Sequence, residues 1–244
     1  MIRFILVLSY LVLFLIFTIP LNIVLWIMGK KNPALKDRIS QAMIRWAFSC
    51  VRFLCGAKVD YIGLENIPAE GSFLYVGNHK SYFDIILTYG CFPRPTGYVA
   101  KAEMSKVPLL ATWMRNIHCL YLNRKDIKEG MKAIIKGIEE LKSGISICIF
   151  PEGTRCRNVD EFLPFHEGSF RMAEKSKCPI IPISINNSHG VWESQFPRIK
   201  KAHVVIEFGK PIHIDELSKE DRKFLGVYTS RIIKEMYDRN KALV

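Results

Sequence analysis

A chain of 244 residues with 49% hydrophobic content has room for one sizeable α/β domain and an appendage. Its formal charge of +12 suits an anionic partner: nucleic acid, a phosphate-bearing substrate, an acidic carrier protein or an anionic membrane surface. The seven cysteines are scattered, without C-x-x-C or Cys/His ligand spacing; this argues against a structural zinc site and for reduced core thiols in a cytoplasmic environment.

From Phe4 to Met28 no residue is charged. As a single helix that run would reach ~37 Å, enough for a bilayer core. Pro20 and Asn22 interrupt it, and no small-residue cleavage site follows, which disfavours a removable signal. Arg3 flanks one end and Lys30, Lys31, Lys36 and Arg38 the other, so the denser basic side places the following domain at the cytoplasmic face. A second helix is expected from Pro33 to Leu54, with Leu35, Ile39, Ala42, Met43, Trp46, Cys50 and Phe53 at helical spacing and Arg38, Arg45 and Arg52 on another face. Residues 1–54 therefore read as a two-helix membrane-associating platform, re-entrant or interfacial, ahead of a domain over 55–244.

Beyond Gly56 short apolar runs alternate with helical patterns. Strands are expected at Lys58–Ile62, Phe73–Val76, Gly97–Ala100, Cys119–Leu122, Ile145–Phe150, Ile180–Ile185 and His203–Phe208. Helices are expected at Asp84–Tyr89, Pro108–Asn116, Ile127–Ser143, Gly168–Lys177 and Ser218–Asn240. The alternation predicts an α/β fold, a mixed and largely parallel sheet flanked by helices. Asn187–Ala202 is the longest irregular piece and reads as a mobile loop near the site.

His79, Lys101, Arg124 and Glu152 each follow the C-terminal end of a separate expected strand. Parallel strands deliver such loops to one edge, where ligands bind, so these residues are expected to converge. His79 and Asp84 stand five positions apart across a strand-to-helix turn. An aspartate holding one ring nitrogen leaves the other free to take a proton from a hydroxyl. No G-x-S-x-G elbow is present; the nearest approach, Gly144 to Cys148, lacks the closing glycine. The nucleophile is then an alcohol brought by the substrate, attacking without a covalent enzyme intermediate. Lys101, Arg124 and Arg155 offer cations suited to a phosphate on that alcohol. Glu152 either accepts hydrogen bonds from substrate hydroxyls or pairs with Arg155 to shape the turn, and Gly153 permits a tight loop. The chain carries no helix-turn-helix signature and no basic patch interleaved with aromatics, so nucleic acid is not an expected partner.

Asn78-His79-x4-Asp84, Tyr121-Leu122-Asn123-Arg124, Phe150-Pro151-Glu152-Gly153-Thr154-Arg155 and Cys178-Pro179-Ile180-Ile181-Pro182-Ile183 resemble the four ordered motifs of the glycerolipid acyltransferases. The match is nearest to the bacterial 1-acyl-sn-glycerol-3-phosphate acyltransferases. Lys101-Ala102-Glu103-Met104 followed by Pro108 is similar to a lysine-containing segment of those enzymes, whereas Asn123 departs from the residue that often precedes the motif arginine. The resemblance covers about Ile62 to Gly209. It implies transfer of an acyl group from acyl-CoA or acyl-acyl carrier protein to the sn-2 hydroxyl of lysophosphatidic acid, at a membrane, without metal or cofactor. His79 would then be the general base and Asp84 its partner. Lys101, Arg124 and Arg155 would hold the acceptor phosphate, Glu152 would contact the glycerol, Gly153 and Thr154 would also bind substrate, and Pro179, Ile180, Ile181 and Pro182 would wall the acyl chains, a run that a core strand explains equally well. Another lysophospholipid or lyso-aminolipid acceptor keeps the same chemistry; a basic membrane-surface protein without enzymatic activity is the competing class.

Overall fold

Pro20 lacks the N–H that a continuous helix would need there, and the charge-free run breaks just before it. The computed structural model describes residues 1–244. It places helix α1 over Ile2–Phe17 and α2 over Ile19–Lys31, bent by 49° at Thr18. No single helix is long and apolar enough to cross a membrane. The Thr18 hydroxyl donates to Phe14 O at 2.7 Å and accepts from the Trp113 indole at 2.9 Å, while Asn116 Nδ2 donates to Asn22 Oδ1 at 2.8 Å. The bend is thus fastened to the body of the protein. Asn32 then caps helix α3 (Pro33–Cys55) through the Leu35 N–H, with Pro33 in the first helical position, and Gly56 ends it at φ 72°. The expected two-helix platform is therefore three helices.

The N-terminal helices and residues 55–244 share one core. Val7, Phe14, Leu25, Ile44, Ala47, Val51 and Cys55 pack in the same cluster as Tyr75, Tyr98 and Ile183 of the sheet. Helix α3 turns Ile44, Ala47, Val51 and Cys55 inward, whereas Leu35, Trp46 and Phe53 of the expected stripe face outward. Helices α1 and α2 also expose a band of large apolar side chains, among them Ile5, Val12, Phe17, Ile23, Trp26 and Ile27.

The sheet comprises β1 (Lys58–Ile62), β2 (Leu74–Gly77), β3 (Thr96–Lys101), β4 (Leu120–Leu122), β5 (Ser146–Ile149), β6 (Ile180–Asn186) and β7 (His203–Phe208). Helices α4 (Phe83–Tyr89), α5 (Pro108–Asn116), α6 (Ile127–Lys142), α7 (Arg171–Ser176), α8 (Lys219–Lys223) and α9 (Leu225–Asn240) complete the chain. Strand order is β1-β7-β6-β2-β5-β3-β4; every neighbouring pair is parallel except β6–β7. The expected mixed, largely parallel sheet is what forms. Successive residues point to opposite faces: Phe73 and Tyr75 enter the cluster with α1–α5, and Leu74 and Val76 enter a second cluster with Leu141 of α6, Met172 of α7 and Ile233 of α9. Because β2, β5, β3 and β4 run the same way, the loops after them meet at one edge.

Candidate active site

His79 leaves the sheet two residues after β2, on a turn held from below. The Asn78 amide donates to Ile185 O at 2.9 Å and accepts from Ile185 N at 2.8 Å, pinning the turn to β6. Asp84, fully buried in the first turn of α4, collects three donors on one oxygen: His79 Nδ1 at 2.7 Å, Lys80 N at 2.8 Å and Ser81 N at 2.9 Å. A carboxylate oxygen set opposite Nδ1 accepts the proton that nitrogen carries, so in the neutral ring Nε2 holds the lone pair. The ring lies flat on Phe150, centroids 4.4 Å apart and planes 8° from parallel, and keeps 16% side-chain exposure. It is therefore oriented on one side and open on the other.

The loop after β5 closes directly on that turn. His79 O accepts from Cys156 N at 2.8 Å, and Glu152 Oε1 accepts from His79 N at 2.7 Å. Glu152 Oε2 accepts from Leu163 N at 2.9 Å. Both carboxylate oxygens face backbone, and the residue is only 3% exposed. Burial raises its pKa while the His79 and Leu163 N–H groups pull the other way. Glu152 thus braces the histidine loop, and the ion pair with Arg155 weighed for it does not form. Arg155 Nη1 instead donates to Glu193 Oε1 at 3.0 Å, with its guanidinium 3.6 Å above the centre of the Tyr82 ring.

Glu193 belongs to the stretch expected to be a mobile loop. Within Asn187–Ala202, Ser188–Val191 and Glu193–Gln195 form two short 3-10 turns and the remainder is irregular. Besides Arg155, the Glu193 carboxylate accepts from Ser81 Oγ at 2.6 Å and Tyr82 N at 2.8 Å. One acid thereby ties the irregular stretch to both polar motifs. No local spacing marks it, since it lies more than a hundred residues from Ser81 in sequence.

His79 itself lines neither of the two cavities that its neighbours form. One, about 580 Å³, is lined by its neighbours Lys80 and Tyr82 together with Arg155, Arg157, Trp192 and Glu193. The other, about 510 Å³, is lined by Phe150, Gly153, Arg124, His166 and Arg171. Arg155 and Arg124 therefore line different cavities. Gly153 adopts φ +74°, so the backbone at this position favours glycine, and a Cβ there would lie 3.1 Å from the Arg124 guanidinium, which would have to give slightly. Partial burial lowers the Arg124 pKa, opposed by Glu103. Lys101 and Thr154 are exposed and line neither cavity. Ile180, Ile181 and Pro182 are buried inside β6, with Pro179 at its start, and line neither cavity. A wholly apolar groove of about 170 Å³ lies elsewhere, between α1 (Phe4, Val7, Leu8) and Tyr82, Ile86 and Trp192. It shares Tyr82 and Trp192 with the Arg155 cavity. Contributions from α1 to this part of the molecule were not legible in the charge-free N-terminal run.

A model of the acyltransferase family matches residues 58–186. The chain is 31% identical over 188 residues to the 1-acyl-sn-glycerol-3-phosphate acyltransferase of Helicobacter pylori, covering 73% of this chain and 78% of that one. It is 28% identical over 200 residues to the enzyme of the same name from Borreliella burgdorferi, covering 82% and 80%. Against the Saccharomyces cerevisiae enzyme of that name, identity is 26% over 201 residues, covering 82% of this chain but 65% of the yeast protein. The crystal structure of the 1-acyl-sn-glycerophosphate (LPA) acyltransferase from Thermotoga maritima has the same fold, with TM-score 0.75, 24% identity and coverage of 99% and 98% of the two chains.

Proposed function

We propose, from the premise that this chain belongs to the acyltransferase family, that it moves a fatty acyl group from acyl-CoA or acyl-acyl carrier protein to the sn-2 hydroxyl of lysophosphatidic acid, giving phosphatidic acid. The observation that carries the reading is the His79–Asp84 pair with Nε2 unpartnered, beside Lys80 and Phe150, which line two separate cavities. Nε2 takes the hydroxyl proton as the substrate oxygen attacks the thioester carbonyl. Asp84 stabilises the resulting imidazolium. When the tetrahedral intermediate collapses, the C–S bond breaks and the proton passes from His79 to the departing thiolate. No covalent acyl-enzyme is required.

In this reading Arg155 binds the acceptor phosphate from the first cavity. Its guanidinium is oriented by Glu193 on one edge and Tyr82 on one face, leaving its remaining N–H groups for phosphate oxygens. The acceptor's acyl chain lies in the adjoining apolar groove, and Arg124 faces the second ligand cavity. The exposed apolar band on α1 and α2 supports contact with the headgroup and acyl region of a membrane, and the basic flank of Lys30, Lys31, Lys36 and Arg38 supports its cytoplasmic face. Purified full-length protein in lipid, given lysophosphatidic acid with each thioester donor, tests the proposal. Phosphatidic acid formation is expected, together with release of free thiol. Turnover restricted to acceptors lacking a phosphomonoester would reject the acceptor, and no acyl transfer to any lysolipid would reject the reaction.

A further inference from the structure

At the opposite edge of the sheet from His79, a crevice of about 750 Å³ opens between α3 and the segments that precede β3, β4 and β5. Arg38 and Arg45 of α3 and Arg94 ahead of β3 line it. Asp37 is the one carboxylate in its lining, and that side chain is engaged by Lys36 at 3.5 Å and by His118 at 3.0 Å. None of the three guanidinium groups has a carboxylate partner. Arg45 gives one hydrogen bond, 2.9 Å to Gly90 O, while the Arg94 Nε–H is buried with no acceptor at all. A buried guanidinium N–H without a partner is costly, and three like charges around one concavity repel one another; both costs fall when an anion enters.

The position of the crevice narrows the anion. Pro33 and Ala34, which follow directly on α2, form part of its lining, and α2 exposes Ile23, Val24, Trp26 and Ile27. A ligand here can present a phosphate to the arginines while hydrocarbon covers the neighbouring helix. We propose that this crevice is a second lipid site, which binds the phosphate group of an anionic membrane phospholipid and is separate from the reacting centre. Forked guanidinium contacts recognise phosphate oxygens in pairs, so a phosphomonoester headgroup, with an additional free oxygen, binds in preference to a phosphodiester one.

The test is partitioning of the full-length chain onto phosphatidylcholine vesicles, alone or with phosphatidic acid or phosphatidylglycerol. The double variant R38Q/R94Q leaves the Arg45 bond to Gly90 intact, and its thermal melting transition reports whether it folds. The exposed single variant R38Q serves if it does not. Loss of two basic groups near an anionic surface lowers partitioning about 30-fold. That loss is expected on anionic vesicles, greatest with phosphatidic acid, and absent on phosphatidylcholine alone. The variant K219Q/K223Q removes the same charge from exposed positions of α8 and should partition as the parent chain does. Equal losses in both variants would overturn the site, since bulk charge would then explain binding. A melting shift with inorganic phosphate that R38Q/R94Q abolishes, alongside unchanged vesicle partitioning, would overturn the lipid assignment in favour of a soluble phosphate compound.

Discussion

Three histidines of this chain contact carboxylates, and two of them, His79 and His118, lie at opposite ends of the sheet strands. His79 gives one nitrogen to Asp84 and keeps the other open. His118, in the turn before β4, meets Asp37 with Nε2 at 3.0 Å and Glu140 with Nδ1 at 2.9 Å. Burial opposes its protonation, but the two acids outweigh that and push its pKa up to about 9. With a carboxylate facing each nitrogen, the ring is charged near neutral pH and links α3 to α6. The difference lies in how many acids face the ring. One acid orients a base, and two acids hold the cation up to about pH 9.

Replacing His79 with Ala should produce the largest effect, a fall in kcat of about 10³-fold or more with the melting transition preserved. Appreciable residual turnover would put His79 alongside His118 as a structural group. Next, Arg155→Ala should raise the lysophosphatidic acid KM about 10- to 100-fold, consistent with loss of charged hydrogen bonds, and leave the donor KM nearly unchanged. Equal changes in both constants would remove Arg155 from the acceptor site. For His118 the readout is stability. Its folded pKa lies above the unfolded value near 6.5, so its contribution is complete below that pH and is lost as pH rises through about 9. Denaturant titrations should show His118→Gln less stable than the parent by about 2 kcal/mol at pH 6, with the gap closing above pH 10 and kcat unaffected. A gap independent of pH would mean that packing, not charge, is what His118 supplies. The smallest effect belongs to Glu193→Gln, which keeps an acceptor for Ser81 and loses the charge opposite Arg155. The acceptor KM should rise about 3- to 5-fold at unchanged kcat, and Glu193→Ala should exceed it. An unchanged KM in both variants would show that Tyr82 alone orients the guanidinium.

Sequence patterns disclosed what is local and periodic. Strand boundaries fell within about two residues because apolar runs in a buried parallel sheet end where the polar loops begin. The His79–Asp84 pairing was legible because five residues of turn and first helical turn suffice to bring the two together. Pro20 signalled the break between α1 and α2. What escaped depends on partners distant in sequence. The inward stripe of α3 is set by where the sheet lies, so the helix presents Ile44 and Val51 to it and leaves Trp46 outside. Glu152 looked available to substrate until Leu163 N and His79 N were seen to occupy its two oxygens. Glu193 carries no motif, and its contacts with Ser81, Tyr82 and Arg155 exist only once the chain has folded back on itself.

The bend at Thr18 bears on how the protein can be handled by a cell or a protease. Trp113 and Asn116 of α5 hold the two sides of that bend, and Val7, Phe14 and Leu25 fill space against the same layer as Tyr75. Clipping off the leading helices would therefore not liberate a working soluble fragment. It would uncover the interior and remove one wall of the groove beside Tyr82, so attachment and integrity are lost in the same stroke.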